Sequence, residues 1–326
     1  MENEAEEDKG AAEKLRLVLV RLRHSRWVRL VLLLMVCACA IPVLRAHWVE
    51  AREAVVALPV WVLPVAVIAG MCGLSAQMLG WRALLSGLGS SLPYRVAARV
   101  MFVSQLGKYL PGSVWAFVAQ VELARDQKVP RSRGAAATLL AVAVTVATGL
   151  AVAASALPVT SVDAARRWWW ALLLAPLSLA ALHPRVVGWG IRVAGRPFAR
   201  FREVAEAGPL HIGGRAITAA VGWSLLAWVP LGLHVWVLTW SVGGDPVSSV
   251  GPAVGAYALA WTLGLLVIFA PAGIGVREVV LVVALAPVVD AGAALVVAVL
   301  SRLVMTLADL AWAGVALGLS RPARPR

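Results

Sequence analysis

Long apolar runs alternate with short polar stretches along most of the chain. Runs at 27–44, 58–80, 134–157, 168–183, 217–240 and 291–319 are each near the length that crosses a bilayer as a helix. Pro59 and Pro64 fall in the first turns of the second run, where a missing N–H matters least. Trp81-Arg82 then marks an interface, followed by a Gly/Ser turn and Pro93. Two further apolar regions do not fit one straight rod. Residues 95–122 carry K-Y-L-P-G at 108–112, and residues 250–289 carry F-A-P-A-G-I-G-V-R-E at 269–278. Proline ends a helix and glycine permits a reversal.

The first of these broken regions has basic loops on both sides: Arg95 and Arg99 before it, then Arg125, Lys128, Arg131 and Arg133 after it. Basic flanks on both sides predict that it enters and leaves on one face, as a re-entrant pair; the competing reading is a kinked full span. For 250–289, a re-entrant pair entering from outside and two full crossings both fit. The expected fold class is all-α, a polytopic membrane helical bundle. It has about six to eight spans with one or two re-entrant broken-helix hairpins. Entry of the two breaks from opposite faces would make an inverted repeat.

Composition agrees with that pattern. The chain has 326 residues, 61% hydrophobic and 14% charged, with mean hydropathy +0.82. Soluble domains average about 25% charged residues. The formal net charge of +13 is scattered between apolar runs, as the positive-inside rule requires and a nucleic-acid-binding module does not. Residues 1–26 read as a cytoplasmic segment, acidic and then basic. Residues 27–320 read as the transmembrane domain, with an arginine-rich cytoplasmic loop at about 183–216, and 321–326 as a basic cytoplasmic tail. No cleavage site stands out after Leu44, so the first run reads as an uncleaved helix. Trp168-Trp169-Trp170 reads as an interfacial belt. Cys37, Cys39 and Cys72 lie in apolar runs without disulfide or zinc spacing and read as packing residues.

The candidate chemistry sits at the breaks. A lysine at the bilayer centre costs roughly 2.5–3.5 kcal/mol on insertion scales, so it pairs or faces a polar pathway. Paired broken segments in the two halves of a membrane protein point to a transporter's midplane site. Helix N-termini after such breaks present free N–H groups suited to an anion. The candidate substrate-binding set is Lys108, Tyr109, Pro111, Gly112, Trp115, Pro271, Gly273, Gly275, Arg277, Glu278, Arg302 and Asp309. Lys108, Arg277 and Arg302 would attract a phosphate, and Glu278 and Asp309 would balance them or receive a cationic part. Glu278 has Arg277, Lys108 or Arg302 as candidate partners. Arg302 and Asp309, seven apart, share a helix face. The bland reading is structural pairing of these charges, with Tyr109 and Trp115 as packing or interface anchors. His24, His47, His183, His211 and His234 are dispersed, mostly near loops. No nucleophile–base set, HExxH, Walker loop or GxSxG appears, so no enzyme, metal or cofactor is expected.

W-R-A-L-L-S-G-L-G from residue 81, S-Q-L-G-K-Y-L-P-G-S-V-W at 104–115, P-A-G-I-G-V-R-E at 271–278 and S-R-L at 301–303 carry a resemblance. Over about residues 25–320 the chain resembles the lysylphosphatidylglycerol synthase transmembrane (flippase-like) family. In fused members this region is implicated in moving an aminoacylated phospholipid between leaflets, beside a separate synthase domain. The chain as given ends soon after its last helix, so the resemblance implies the stand-alone form without that domain. Ala272 stands where the family motif has a second glycine, and 135–150 lacks the acid–base pair frequent after the first motif. The resemblance implies a multi-pass protein of the bacterial cytoplasmic membrane, with both termini in the cytoplasm. Its expected partner is a membrane lipid: an anionic or aminoacylated phospholipid, or a polyprenyl phosphate-linked lipid. The alternative is a non-transporting scaffold or partner of a lipid- or glycan-modifying enzyme, docking through 183–216.

Overall fold

A computed structural model describes residues 58–109, 115–156, 173–180, 212–267, 273 and 275–318. The expected span at 27–44, the tryptophan triplet, most of the 183–216 loop, the 321–326 tail, Cys37 and Cys39 lie outside the described residues. Among the described residues there are nine α-helices and no strand. They are α1 (Val62–Gly87), α2 (Tyr94–Gln105), α3 (Trp115–Asp126), α4 (Arg131–Ala156), α5 (Leu174–Ala180), α6 (Gly214–Ser241), α7 (Val250–Leu266), α8 (Val276–Leu285) and α9 (Ala291–Gly318). Four of these, α1, α4, α6 and α9, are long and apolar enough to cross a membrane. The protein is a helical membrane bundle.

Local chemistry sets the element ends. Pro64 lies within the first turn of α1, as expected. The helix then continues through Trp81 and Arg82 to Gly87, and the chain turns at Gly89, whose φ is +80°. This corrects the expectation of an interface at residue 81: Trp81 is 1% exposed and packs in the core. α6 runs unbroken through Pro230, which membrane helices tolerate where neighbours satisfy the freed carbonyl. The Asp290 carboxylate accepts the Ala293 N–H at 2.9 Å and so caps the start of α9. Cys72 is exposed, so it is not the packing residue its apolar run suggested.

Small residues set how closely the helices approach, as lipid supplies no hydrophobic drive between them. Gly73 of α1 packs against Ala227 and Leu231 of α6, Gly80 against Ala220, and Gly87 against Ala216. Rising numbers on one helix meet falling numbers on the other, so α1 and α6 are antiparallel. Trp61 and Trp240 meet at the far end of the pair, with centroids 5.5 Å apart. Hydroxyl and ring contacts add cross-links: Thr148 Oγ1 to Ser224 Oγ at 2.7 Å, and His234 Nε2 to Ser301 Oγ at 2.8 Å. His234 is therefore a buried mid-helix residue, not a loop one.

Two core clusters define the two ends. Leu88, Leu92, Val129 and Ala316 belong to one. Val62, Leu238, Ala253 and Ala294 belong to the other. Arg95, Arg99, Arg125, Lys128, Arg131, Arg133 and Arg215 gather at the first end, which we call the basic end; Asp245 and Asp290 stand at the acidic end.

The broken regions are hairpins. α2 and α3 are 12 residues each, about 18 Å long and too short to cross about 30 Å of hydrocarbon. Gln120 of α3 donates to the Met101 sulfur of α2 at 3.3 Å, which requires the chain to fold back. The kinked-span reading is excluded. α8 has 10 residues, about 15 Å, and it packs back on α7. The second region is likewise a hairpin and not two crossings. α2 follows the basic end of α1 and α3 returns to the basic end of α4. α7 follows the acidic end of α6 and α8 returns to the acidic end of α9. The architecture is span–hairpin–span, repeated upside down.

Candidate functional site

The two hairpin tips meet inside the bundle. A short 3-10 turn, Leu106–Tyr109, forms the first tip. A Cβ on Gly107 would lie 2.9 Å from the Ala116 backbone nitrogen, so only glycine lets the two limbs close this tightly. At the second tip, Gly273 has φ +70° and Gly275 has φ +88°, conformations in which a side chain is strained. A Cβ on Gly273 would meet the Gly264 carbonyl oxygen at 2.9 Å. Glycine thus closes each reversal, backbone against backbone.

Between the tips lies a cavity of about 170 Å³. Lys108 and Tyr109 reach it from the first tip, Gly273 and Arg277 from the second, and Arg302 and Asp309 from α9. Arg302 and Asp309 share the face that their spacing required.

The charges are not equivalent. Lys108 Nζ lies 2.5 Å from Asp309 Oδ2, and the Tyr109 hydroxyl donates to the same oxygen at 2.7 Å. Asp309 is 2% exposed, so its charge depends on these partners. Glu278 Oε1 lies 3.4 Å from Arg302 Nη1, and Glu278 Oε2 accepts the Gly275 N–H at 2.7 Å. The second contact is half of a capping box at the start of α8. Of the three candidate partners for Glu278, Arg302 is the one within ion-pair distance among the described residues.

Arg277 stands apart. Its guanidinium lies 5.6 Å from the Trp261 ring centroid. Its stem is bedded in a slot against Gly264 and Gly273, where added methyl groups would collide with it. Its buried Nε has no hydrogen-bond partner, and among the described residues it forms no ion pair. Trp115 opens α3 and is half exposed, and it does not line the cavity. Pro111, Gly112 and Pro271 lie outside the described residues. The described residues contain no cluster of three or more His, Cys, Asp or Glu able to hold a metal.

Several lining residues had escaped the sequence reading. Tyr257, Trp261 and Gly264 come from α7; Gln77, Gln105 and Gln120 come from α1, α2 and α3. The glutamines carried a signal, as amides in otherwise apolar helices need partners or water. Residues 17–313 match the family model described as the lysylphosphatidylglycerol synthase TM region. The chain belongs to that family. Comparison with curated proteins returns no match. In this member of the lysylphosphatidylglycerol synthase TM-region family, Lys108-Tyr109 of the first motif and G-V-R-E at 275–278 stand at the tips of two opposed hairpins. The charged residues of both motifs lie at or directly behind one cavity.

Proposed function

We propose that the protein is a lipid translocator. An anionic or aminoacylated phospholipid head, or a polyprenol-linked one, crosses between the hairpin tips while its tails stay in the bilayer. One observation carries this reading: hairpins entering from opposite ends bring an ion-unpaired, partly buried arginine, Arg277, whose buried Nε has no partner, to one shared cavity. Such crossed broken helices leave a polar passage at mid-depth without a continuous pore. The cavity suits a head group and not a whole lipid, since drug-sized ligands occupy about 300–1,000 Å³. The residues in reach hold and shield charge, and the protein makes and breaks no covalent bond. By the positive-inside rule the basic end faces the cytoplasm of a bacterial plasma membrane, with both termini on that side.

Reconstituted vesicles with labelled lipids test the reading. Wild-type protein should speed inter-leaflet movement well above protein-free vesicles, and Lys108→Ala/Arg277→Ala should return it to background. Wild-type protein inactive across anionic phospholipids, aminoacylated phospholipids and polyprenyl phosphates would sink it.

A further inference from the structure

Among the described residues, Asp309 lines the cavity and Glu278 lies directly behind it, and both acids are engaged. Asp309 Oδ2 receives Lys108 and the Tyr109 hydroxyl. Glu278 receives Arg302 and the Gly275 N–H. Removing these two ion pairs from the count leaves one positive charge, that of Arg277, with a buried Nε that donates to nothing. A guanidinium does not shed its proton to escape this.

The opposite wall has different chemistry. α1 to α4 contribute the amides Gln77, Gln105 and Gln120 and the hydroxyls Thr138 and Thr145. Lys108, at the first hairpin tip between α2 and α3, is the sole charged residue among the described ones that this half of the bundle adds to the lining. Thr138 and Thr145 donate to carbonyls of their own helix at 2.9 and 2.8 Å, so each hydroxyl keeps only its acceptor side for a ligand. Both described acids here already stand in ion pairs, so an added ammonium would have to compete with Lys108 or Arg302 for them.

We infer that this site selects a monoanionic phosphodiester bearing a neutral, hydroxyl-rich head group, and disfavours a cationic aminoacylated one. The inference rests on the translocator reading and names its substrate class. The phosphate sits on Arg277, which forks onto two oxygens. The hydroxyls of the head sit on the amides, each of which both donates and accepts. An added ammonium finds Arg277 repelling it and both acids already ion-paired. Selectivity comes from the groups such a head would leave unpaired.

Full-length protein in detergent, with bound lipid counted by native mass spectrometry under competition, tests this. The probes are phosphatidylglycerol, lysyl-phosphatidylglycerol, phosphatidylethanol as a monoanion without hydroxyls, and soluble glycerophosphoglycerol. Phosphatidylglycerol should bind about tenfold or more tighter than the lysyl form, and more tightly than phosphatidylethanol. Arg277→Gln should erase the first preference, and Gln105→Leu the second. Equal or tighter binding of the lysyl form by wild type overturns the inference, whether or not Arg277→Gln folds. So does wild-type phosphatidylglycerol binding in a folded Arg277→Gln. Glycerophosphoglycerol matching phosphatidylglycerol would assign the site to a soluble phosphodiester and overturn the lipid source. Parallel vesicle assays separate the two claims. Predicted binding order without lipid movement refutes translocation alone. Movement favouring the lysyl form, and lost in Arg277→Gln, refutes the selectivity alone.

Discussion

The two hairpins are built alike and use their charges differently. Each reverses on glycine, Gly107 in one and Gly273 in the other, with backbone pressed on backbone. Each brings one cation to the cavity from its tip. The first hairpin ties its cation down, since Lys108 and Tyr109 converge on Asp309 of α9. The second leaves Arg277 without an acid and beds its stem between glycines. The first tip is thus a staple between hairpin and span, and the second, on the proposed function, is a preformed receptor. A partly buried cation without an acid is costly to keep, a cost that a bound anion would offset on the proposed function, whereas a paired one asks only for its partner.

Breaking the staple should have the largest effect on stability. Lys108→Ala leaves the Asp309 carboxylate buried with Tyr109 as its remaining described partner. It should cost about 3 kcal/mol, read from thermal unfolding in detergent. Asp309→Ala should cost less, because Lys108 is about a quarter exposed and can swing its ammonium to the surface. The double variant should recover about 1–2 kcal/mol of the summed loss. Strict additivity would mean that the pair does not act as a unit.

Distorting the receptor comes next. Gly273→Ala forces a side chain into φ +70° and onto the Gly264 carbonyl. It should cost about 1–3 kcal/mol and also tilt Arg277, so stability and lipid movement should fall together. Retention of both would show that the tip is looser than described. Emptying the receptor should do the opposite to stability. Arg277→Gln removes a partly buried charge without an acid, so the melting temperature should hold or rise. A fall as large as that for Lys108→Ala would erase the contrast between the hairpins.

The smallest effect lies where the first hairpin leaves the bundle. Arg131 grips Glu122 through two bonds, at 3.0 and 2.8 Å. Hydrogen bonding from Arg131, more than its charge, holds the Glu122 carboxyl below its usual range. The folded-state value is the lower one, so the contribution is complete above the ordinary glutamate range and is lost as pH falls through the folded value. The pair is exposed, which keeps the effect small. A pH series of melting temperatures should show a shallow acid-side slope that Glu122→Gln flattens.

Much of the frame was legible in the chain. Length and hydropathy placed α4, α6 and α9 to within a few residues, because a bilayer demands long unbroken apolar helices. Basic flanks gave the side of entry of the first hairpin before any contact was known. Helix ends were less legible. α1 outran its expected end because Trp81, read as an interface residue, is covered by neighbours that the local pattern does not reveal. Partnerships were illegible for the same reason. Lys108 and Asp309 are 201 positions apart, and nothing in the spacing tells whether Asp309 answers Lys108 or Arg302. The seven-residue spacing of Arg302 and Asp309 correctly put them on one face, yet each pairs elsewhere. Gly107 and Gly264 were unremarkable letters until the backbone and the Arg277 stem they admit were in place.

Lipid movement in vesicles by Arg277→Gln, measured beside the wild type, tests the central claim most directly. The account predicts a well-folded protein, at least as heat-stable as wild type, whose movement of phosphatidylglycerol has dropped about tenfold or more. Movement at the wild-type rate by that variant would contradict it.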